Sequence, residues 1–454
     1  VDEPARMTGD SGFPGTKPNF ETSVTMNDSP DSSTTLTAGA ASAEITPPLE
    51  VGLLMASVEG RWEPFEGVRM PLFARAVVLG ESSTGRRVAL VALDLLGLSG
   101  TALGGFREFK SSVCAAADHA VAPEDLILTC THTHTGPESV AITDLYRSEA
   151  FAAWAAYLAV QIGRAIRSAA RSARPCRLEY GSASAPGLAI HRRFKTTQGV
   201  LLSHPEPPPE IVLSRDGAVD DSVNVAALRD PSGRLVAVIV NATCHPVHEM
   251  CIRQVSPDYP GELSVALEAA YPGAVALFLN GAAGDINPTT VSAGPAEARR
   301  HADALAETVR GVLSRPKRAT HQGMRLERRE LTLPTRLPLG KADGQTLPTE
   351  VVGLCLGELA FVFLPGEPFA ETGLAIKDGS PFDLTAVVAY AEDAVGYVPT
   401  DQAFADGGYE TTFGRWSYVA PGSEPVFRGE ASALLNELHA AAFEARHGSV
   451  TRSS

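Results

Sequence analysis

Apolar residues fall into two patterns along this chain, and their alternation predicts the fold class. Short runs that are almost wholly apolar, at 87–95, 126–130, 235–243, 274–279 and 384–391, have the length and residue types of buried strands. Between them lie longer stretches with apolar residues at helical spacing, at 105–119, 148–173, 260–270, 296–314, 368–377 and 430–446. A strand running into a proline turn is predicted at 41–48, and 351–364 reads as a pair of strands. Residues 175–193 and 324–335 add antiparallel strands. The expectation is therefore an α/β fold of mixed β-sheets covered by helices. Residues 205–210 (PEPPPE) and 337–348 read as loops, and no sequence repeat is visible. Residues 1–37, rich in Ser, Thr, Pro, Asp and Gly, read as a disordered N-terminal tail ahead of a single folded domain at 38–454.

Composition narrows the partners. The chain has 454 residues, 44% hydrophobic and 20% charged, which is ample for a large core. Its formal net charge of -15 argues against nucleic acid or an anionic lipid surface, both of which need a basic footprint. The longest apolar runs are too short to span a bilayer, and the N-terminal stretch lacks the continuous apolar segment of a signal peptide, so the expectation is a cytoplasmic protein with no membrane insertion. Six cysteines, with no CxxC pair and no regular spacing, read as reduced and mostly buried thiols.

The candidate chemistry sits just past the ends of predicted strands. Thr131-His132-Thr133-His134 follows the strand at 126–130. Cys244-His245-Pro246-Val247-His248 follows 235–243, Gly284-Asp285-Ile286-Asn287 follows 274–279, Pro365-Gly366-Glu367 follows the pair at 351–364, and Gly396-Tyr397 follows 384–391. In open α/β sheets the ligand crevice lies at such ends. The period-2 pair His132 and His134 shares one face of an extended segment, suited to a metal and a substrate, or is simply two surface histidines in a Thr-rich loop. His245, after an apolar strand and before a proline, suits a zinc ligand or a hydrogen-bonded core histidine. Glu367, held between two prolines beside a glycine, reads equally as a helix-terminal charge or a metal ligand. Tyr397 taken alone reads as a core aromatic.

Together these segments resemble a known family. Thr131-His-Thr-His-Thr-Gly-Pro137, Asn280-Gly-Ala-Ala-Gly-Asp-Ile-Asn-Pro288, Leu364-Pro-Gly-Glu367 and Gly396-Tyr-Val-Pro-Thr400, in this order, are similar to the catalytic domain of neutral/alkaline (non-lysosomal) ceramidases. The resemblance runs from about residue 38 to 414. It implies one catalytic Zn²⁺ held by His132, His245, Glu367 and Tyr397 at the C-terminal ends of strands, with His134, Tyr409 and Arg192 acting on the substrate carbonyl, and it allows a second, structural Mg²⁺ or Ca²⁺. The implied activity is zinc-dependent hydrolysis of an amide (N-acyl) bond. Acyl transfer on the same zinc site, or a non-catalytic zinc-binding role, are the alternatives. The chain departs from the family in two ways: Asn287 stands where the family has a serine, and no C-terminal immunoglobulin-like domain follows. Both departures point to a small soluble amide rather than ceramide. Asp258 and Asp285 are candidates to orient the ligand histidines, and Asp285 or Glu262 to supply a proton to the leaving amine beside His134.

Overall fold

The computed structural model describes residues 36–52, 65–82, 84–215, 217–337 and 342–447. The tail expected at 1–37 lies outside the described residues as far as position 35. The first strand, β1 (Leu36–Glu44), opens two residues earlier than the expected domain start.

One topology recurs three times. In the first sheet β1 pairs antiparallel with β2 (Phe73–Glu81), β2 antiparallel with β3 (Arg87–Leu93), and β3 parallel with β4 (Leu126–Cys130). In the second, β5 (Arg177–Ser184), β6 (Ser222–Arg229) and β7 (Leu235–Ala242) are antiparallel neighbours, and β7 runs parallel to β8 (Val275–Asn280). In the third, β9 (Met324–Arg336), β10 (Ala342–Leu356) and β11 (Leu359–Phe363) repeat the meander, and β11 is parallel to β12 (Leu384–Val388). A parallel neighbour needs a crossover. Helices α1 (Phe106–Ala116), α3 (Asp258–Ala270) and α5 (Ala370–Asp378) lie in those three connections, while α2 (Glu149–Ser172), α4 (Pro295–Ser314) and α6 (Ser423–His447) follow the fourth strands. The sequence shows no repeat because the common element is strand direction, not residue identity.

Each sheet is covered on both faces, which explains the continuous apolar runs. One face joins a shared core drawn from all three sheets, including Leu79, Leu90, Leu178, Ile239, Phe361 and Phe363. The other lies under its own helices: the first sheet under α1 and α2, the second under α3 and α4, the third under α5 and α6. α2 buries Phe151, Trp154, Leu158, Ile162, Ile166 and Ala169, the i, i+3/i+4 stripe of an amphipathic helix. Its Ser148 hydroxyl caps the Phe151 N–H at 3.1 Å, and its Trp154 indole N–H donates to the Ile45 carbonyl at 3.0 Å.

The structure corrects two expectations. Part of the loop expected at 337–348 is strand, since β10 begins at Ala342 and pairs with β9 from there; residues 338–341 lie outside the described residues. Strands β2 and β6 were not anticipated, although both are mostly buried. Cysteines 114, 130, 176, 244 and 355 are buried, Cys251 is exposed, and all six are free thiols. Among the described residues no helix is long and apolar enough to cross a membrane.

Candidate active site

The chain delivers chemistry where parallel strands end. His132 stands two residues beyond β4, and its φ of +71° puts a non-glycine residue in the left-handed region. That conformation costs about 1–3 kcal/mol and is held by N–H donation from Thr131 to Leu93 O (2.8 Å) and from His132 to Leu95 O (2.9 Å). His245 lies three residues past β7, and Glu367 four past β11. Glu367 and Pro368 pair in parallel with Tyr397 and Val398, so Glu367 and Tyr397 are direct neighbours across a short ladder. Gly366, at φ +75°, makes the turn into Glu367: a Cβ there would lie 2.4 Å from the Gly396 carbonyl oxygen. Gly366→Ala is expected to cost at least ~1–3 kcal/mol from backbone conformation alone and to displace Glu367. Thermal melting and metal content of the purified variant check this.

The side chains converge. His132 Nε2 is 3.2 Å from His245 Nε2 and 3.3 Å from His134 Nε2. Glu367 Oε2 is 3.4 Å from both His132 Nε2 and His245 Nε2. The tautomers follow from the other ring nitrogens. His132 Nδ1 donates to the Leu96 carbonyl at 2.7 Å, and His245 Nδ1 to the Ile286 carbonyl at 2.9 Å. Both Nε2 atoms are therefore lone-pair acceptors facing each other and a carboxylate oxygen, with the Arg192 guanidinium also against that of His245, and Glu367 Oε2 is buried with no hydrogen-bond donor among the described residues. Lone pairs in such proximity repel unless a cation sits between them. The spacings match the ~3.3 Å donor separation expected of tetrahedral zinc with bonds of about 2.0–2.1 Å. Burial, with the Arg192 guanidinium beside it, lowers the His245 pKa to about 4. Burial and the neighbouring imidazoles hold His134 well below the usual histidine value. Burial opposes ionisation of Glu367, and a proton on a neighbouring imidazole favours it, holding the carboxyl well below the ordinary range. A divalent cation would take the place of that proton, since it requires neutral imidazoles and an ionised carboxylate.

A buried arginine ties the second half of the site together. Arg192 donates through Nε to Glu410 Oε1 (2.8 Å), through Nη2 to the Tyr397 hydroxyl (2.9 Å) and through Nη1 to Asn287 Oδ1 (3.4 Å), and Nη1 lies 3.3 Å from His245 Nε2. Glu410 is fully buried and also pairs with Arg193. Burial raises the Tyr397 phenol well above its usual pKa, while Arg192 pulls it down. Tyr409, 38% exposed as a whole residue, packs its ring 5.9 Å from that of Tyr397 and stacks on Trp416, and desolvation of its hydroxyl raises the pKa to about 12. All seven candidate residues, His132, His134, Arg192, His245, Glu367, Tyr397 and Tyr409, thus meet in one place. The aspartates do not orient the histidines: Asp258 accepts from the Glu249 and Tyr259 amides, and Asp285 accepts from the Ala370 amide and pairs with His191. Backbone carbonyls do that work instead. Glu262 is engaged by Arg69 at 2.9 Å. Among the described residues the trio His132, His134 and His245 is the metal-competent cluster, and no second one offers itself for a structural Mg²⁺ or Ca²⁺.

Beside the cluster opens a cavity of about 720 Å³, walled by His132 and Glu367 and by apolar residues such as Leu96, Leu98, Ile142 and Phe413. One carboxylate shapes the loop on its far side. Buried Glu138 accepts from the Val140, Ile142 and Thr143 amides at 2.8, 3.2 and 3.2 Å and from the Thr143 hydroxyl at 2.9 Å. Sequence reasoning did not single out Glu410, Glu138, Tyr390 or Trp416. Glu410 had a visible signal, being adjacent to Tyr409 in Gly408-Tyr-Glu-Thr-Thr412.

No family model matches the chain. Over 255 residues it is 29% identical to the neutral ceramidase of Pseudomonas aeruginosa, a match covering 53% of this chain and 35% of that protein. The matched stretch therefore spans about a third of the relative's length. Among solved structures, the crystal structure of neutral ceramidase from Pseudomonas aeruginosa superposes with a TM-score of 0.69 at 20% identity, over 89% of this chain and 75% of that one. A ceramidase complexed with C2 gives a TM-score of 0.69 at 20% identity, over 89% and 76%. The chain is thus similar in fold to neutral ceramidase over most of its length, and similar in sequence to it over 255 residues.

Proposed function

We propose that this domain hydrolyses an amide (N-acyl) bond of a small molecule with a zinc ion held by His132, His245, Glu367 and Tyr397. The observation that carries the reading is the set of pinned tautomers: two Nε2 lone pairs and an orphaned carboxylate oxygen converge within 3.2–3.4 Å. A zinc ion in such a site supplies Lewis-acid polarisation of a carbonyl and a water acidified to a pKa of ~7.

The remaining roles follow from what each side chain can do. His134 differs from the two ligand histidines because its Nδ1 has no partner among the described residues. Its surroundings keep it neutral, so it can take the proton that the attacking water releases and pass it to the leaving amine. Tyr409, whose hydroxyl stays protonated, donates a hydrogen bond to the carbonyl oxygen as negative charge develops. Arg192 holds the Tyr397 oxygen and favours its anionic form. Asn287 brings no nucleophile, so the attacking oxygen comes from water. The cavity lies within the ~300–1,000 Å³ range of small-molecule pockets and takes an apolar part of the substrate.

The test is metal content per chain, paired with hydrolysis of a panel of N-acyl amines and N-acyl amino acids before and after chelation. About one zinc per chain and cleavage lost on chelation are expected. Product formed only with an added amine would replace hydrolysis by acyl transfer, and stoichiometric zinc without turnover on any substrate would overturn the enzymatic reading.

A further inference from the structure

Charge is placed unevenly around the cavity beside the histidines. Its wall is buried at His132 and Tyr390 and opens to solvent at Phe413 and Arg415: Phe413 is 38% exposed and the Arg415 side chain 52%. At that open end one carboxylate serves two guanidiniums. Asp144 Oδ1 lies 2.9 Å from Arg415 Nη1 and 3.6 Å from Arg147 Nε. Arg147 is held there by Tyr146, another wall residue: its guanidinium carbon lies 5.6 Å from the ring centroid, and its Nε donates to the hydroxyl at 3.3 Å. Among the described residues neither arginine pairs with a second carboxylate. One positive charge is therefore in surplus at the mouth, on a chain whose formal net charge is -15. The other carboxylates beside the wall are engaged elsewhere: Glu138 by three backbone amides and the Thr143 hydroxyl, Asp393 by the Gly100 amide at 2.9 Å, and Glu367 at the histidines.

An exposed ion pair adds little to stability, but these guanidiniums stand where an apolar chain lying in the cavity reaches water. A guanidinium offers five N–H donors in a fork that matches a carboxylate, and among the described residues Asp144 accepts from one of those of Arg415. A second carboxylate arriving through the cavity is met by donors already set for a carboxylate and by uncompensated charge. A cationic group there would face two arginines for one aspartate. We infer that the part of the substrate filling the cavity ends in a carboxylate, received at the mouth by Arg415 and Arg147. The inference rests on the proposed amide hydrolysis for calling the occupant a substrate. The carboxylate belongs either to the acyl chain, as in the monoamide of a dicarboxylic acid, or to the amine, as in an N-acyl ω-amino acid.

The experiment uses the full chain loaded with zinc. Monocarboxylates, α,ω-dicarboxylates and ω-aminocarboxylates of about six to twelve carbons, lengths suited to a small-molecule cavity, are titrated calorimetrically into wild type, Arg415→Gln, Arg147→Gln and Asp144→Asn. All three positions are exposed, so the substitutions spare the core. At one length at least, wild type is expected to bind the dicarboxylate about five- to tenfold more tightly than the monocarboxylate, and the aminocarboxylate more weakly than both. Arg415→Gln should bring that preference to within about twofold of unity, and Arg147→Gln should reduce it about two- to threefold. Asp144→Asn should raise it by about as much, because both guanidiniums then turn to the ligand. A dicarboxylate never favoured over its monocarboxylate, a preference unchanged in Arg415→Gln or lowered in Asp144→Asn, or an aminocarboxylate bound most tightly overturns the inference. Cleavage of dicarboxylic monoamides and of N-acetyl ω-amino acids, each against the analogue ending in a methyl group, tells which side of the amide bears the carboxylate. A preference in binding with neither series cleaved would leave this subsite standing and remove the hydrolase reading, while cleavage without preference would do the reverse.

Discussion

Chelation is expected to strip activity and stability together from the wild-type chain, and to change neither in His245→Ala. His245 is fully buried, and its Nδ1 is committed to the Ile286 carbonyl, so what remains to it is the Nε2 lone pair, which faces Glu367, His132 and the Arg192 guanidinium. An ion that binds the folded state alone adds about 2.7 kcal/mol at a hundredfold excess over its Kd. Wild type should therefore melt several degrees lower after chelation, and His245→Ala should melt at one temperature with or without chelator. Its amide cleavage should fall to background. The partner variant is best made as His132→Asn rather than His132→Ala, because asparagine tolerates the left-handed φ of +71° and leaves the backbone undisturbed. Zinc retained at one per chain in either variant, or a chelator-induced shift that persists in His245→Ala, would remove these histidines from the metal.

What was legible in the sequence divides along a physical line. β7 and β8 were read almost to the residue because strands covered on both faces write themselves as unbroken apolar runs. β2 and β6 escaped notice because each carries a polar residue in mid-run. Arg75 is buried against Asp94 at 2.8 Å, and Asn224 donates to Asn241 at 3.1 Å, so both are paid for by partners distant in sequence. The start of β10 was read as loop because Gly344 and Pro348 are turn residues in isolation. Pro348 is tolerated because that half of the strand pairs with β9 alone, and a free edge needs no donor. The site residues were legible as side chains in ordered motifs. The groups that orient them were not, since the acceptors for His132 and His245 are the backbone carbonyls of Leu96 and Ile286, which any residue type could supply. The expectation that Asp258 and Asp285 served this purpose failed for that reason. The threefold topology, likewise, resides in strand pairing and leaves no trace in residue identity.

Arg192→Lys is expected to lower amide cleavage by ~10²–10³ while zinc content stays near one per chain, the loss typical of removing one preorganised electrostatic group. Geometry rather than charge decides the outcome. Arg192 reaches Glu410 through Nε and the Tyr397 hydroxyl through Nη2 at once, at 2.8 and 2.9 Å. An ammonium is a single point that cannot span both, so lysine will keep the ion pair with Glu410 or the contact with Tyr397. Glu410 has Arg193 as a second partner, whereas among the described residues Arg192 is the cationic side chain hydrogen-bonded to the Tyr397 hydroxyl, and without it a bound zinc alone is left to offset the burial that opposes ionisation. Arg192→Met goes further: it leaves a fully buried carboxylate with one partner fewer, and breaking a buried pair in this way typically costs ~3–5 kcal/mol of stability. The two variants thus separate the roles. Lysine should lose rate with a modest fall in melting temperature, and methionine should lose both. If lysine retains cleavage within tenfold of wild type, Arg192 is a clamp on Glu410 alone, and the polarity of Tyr397 is set elsewhere.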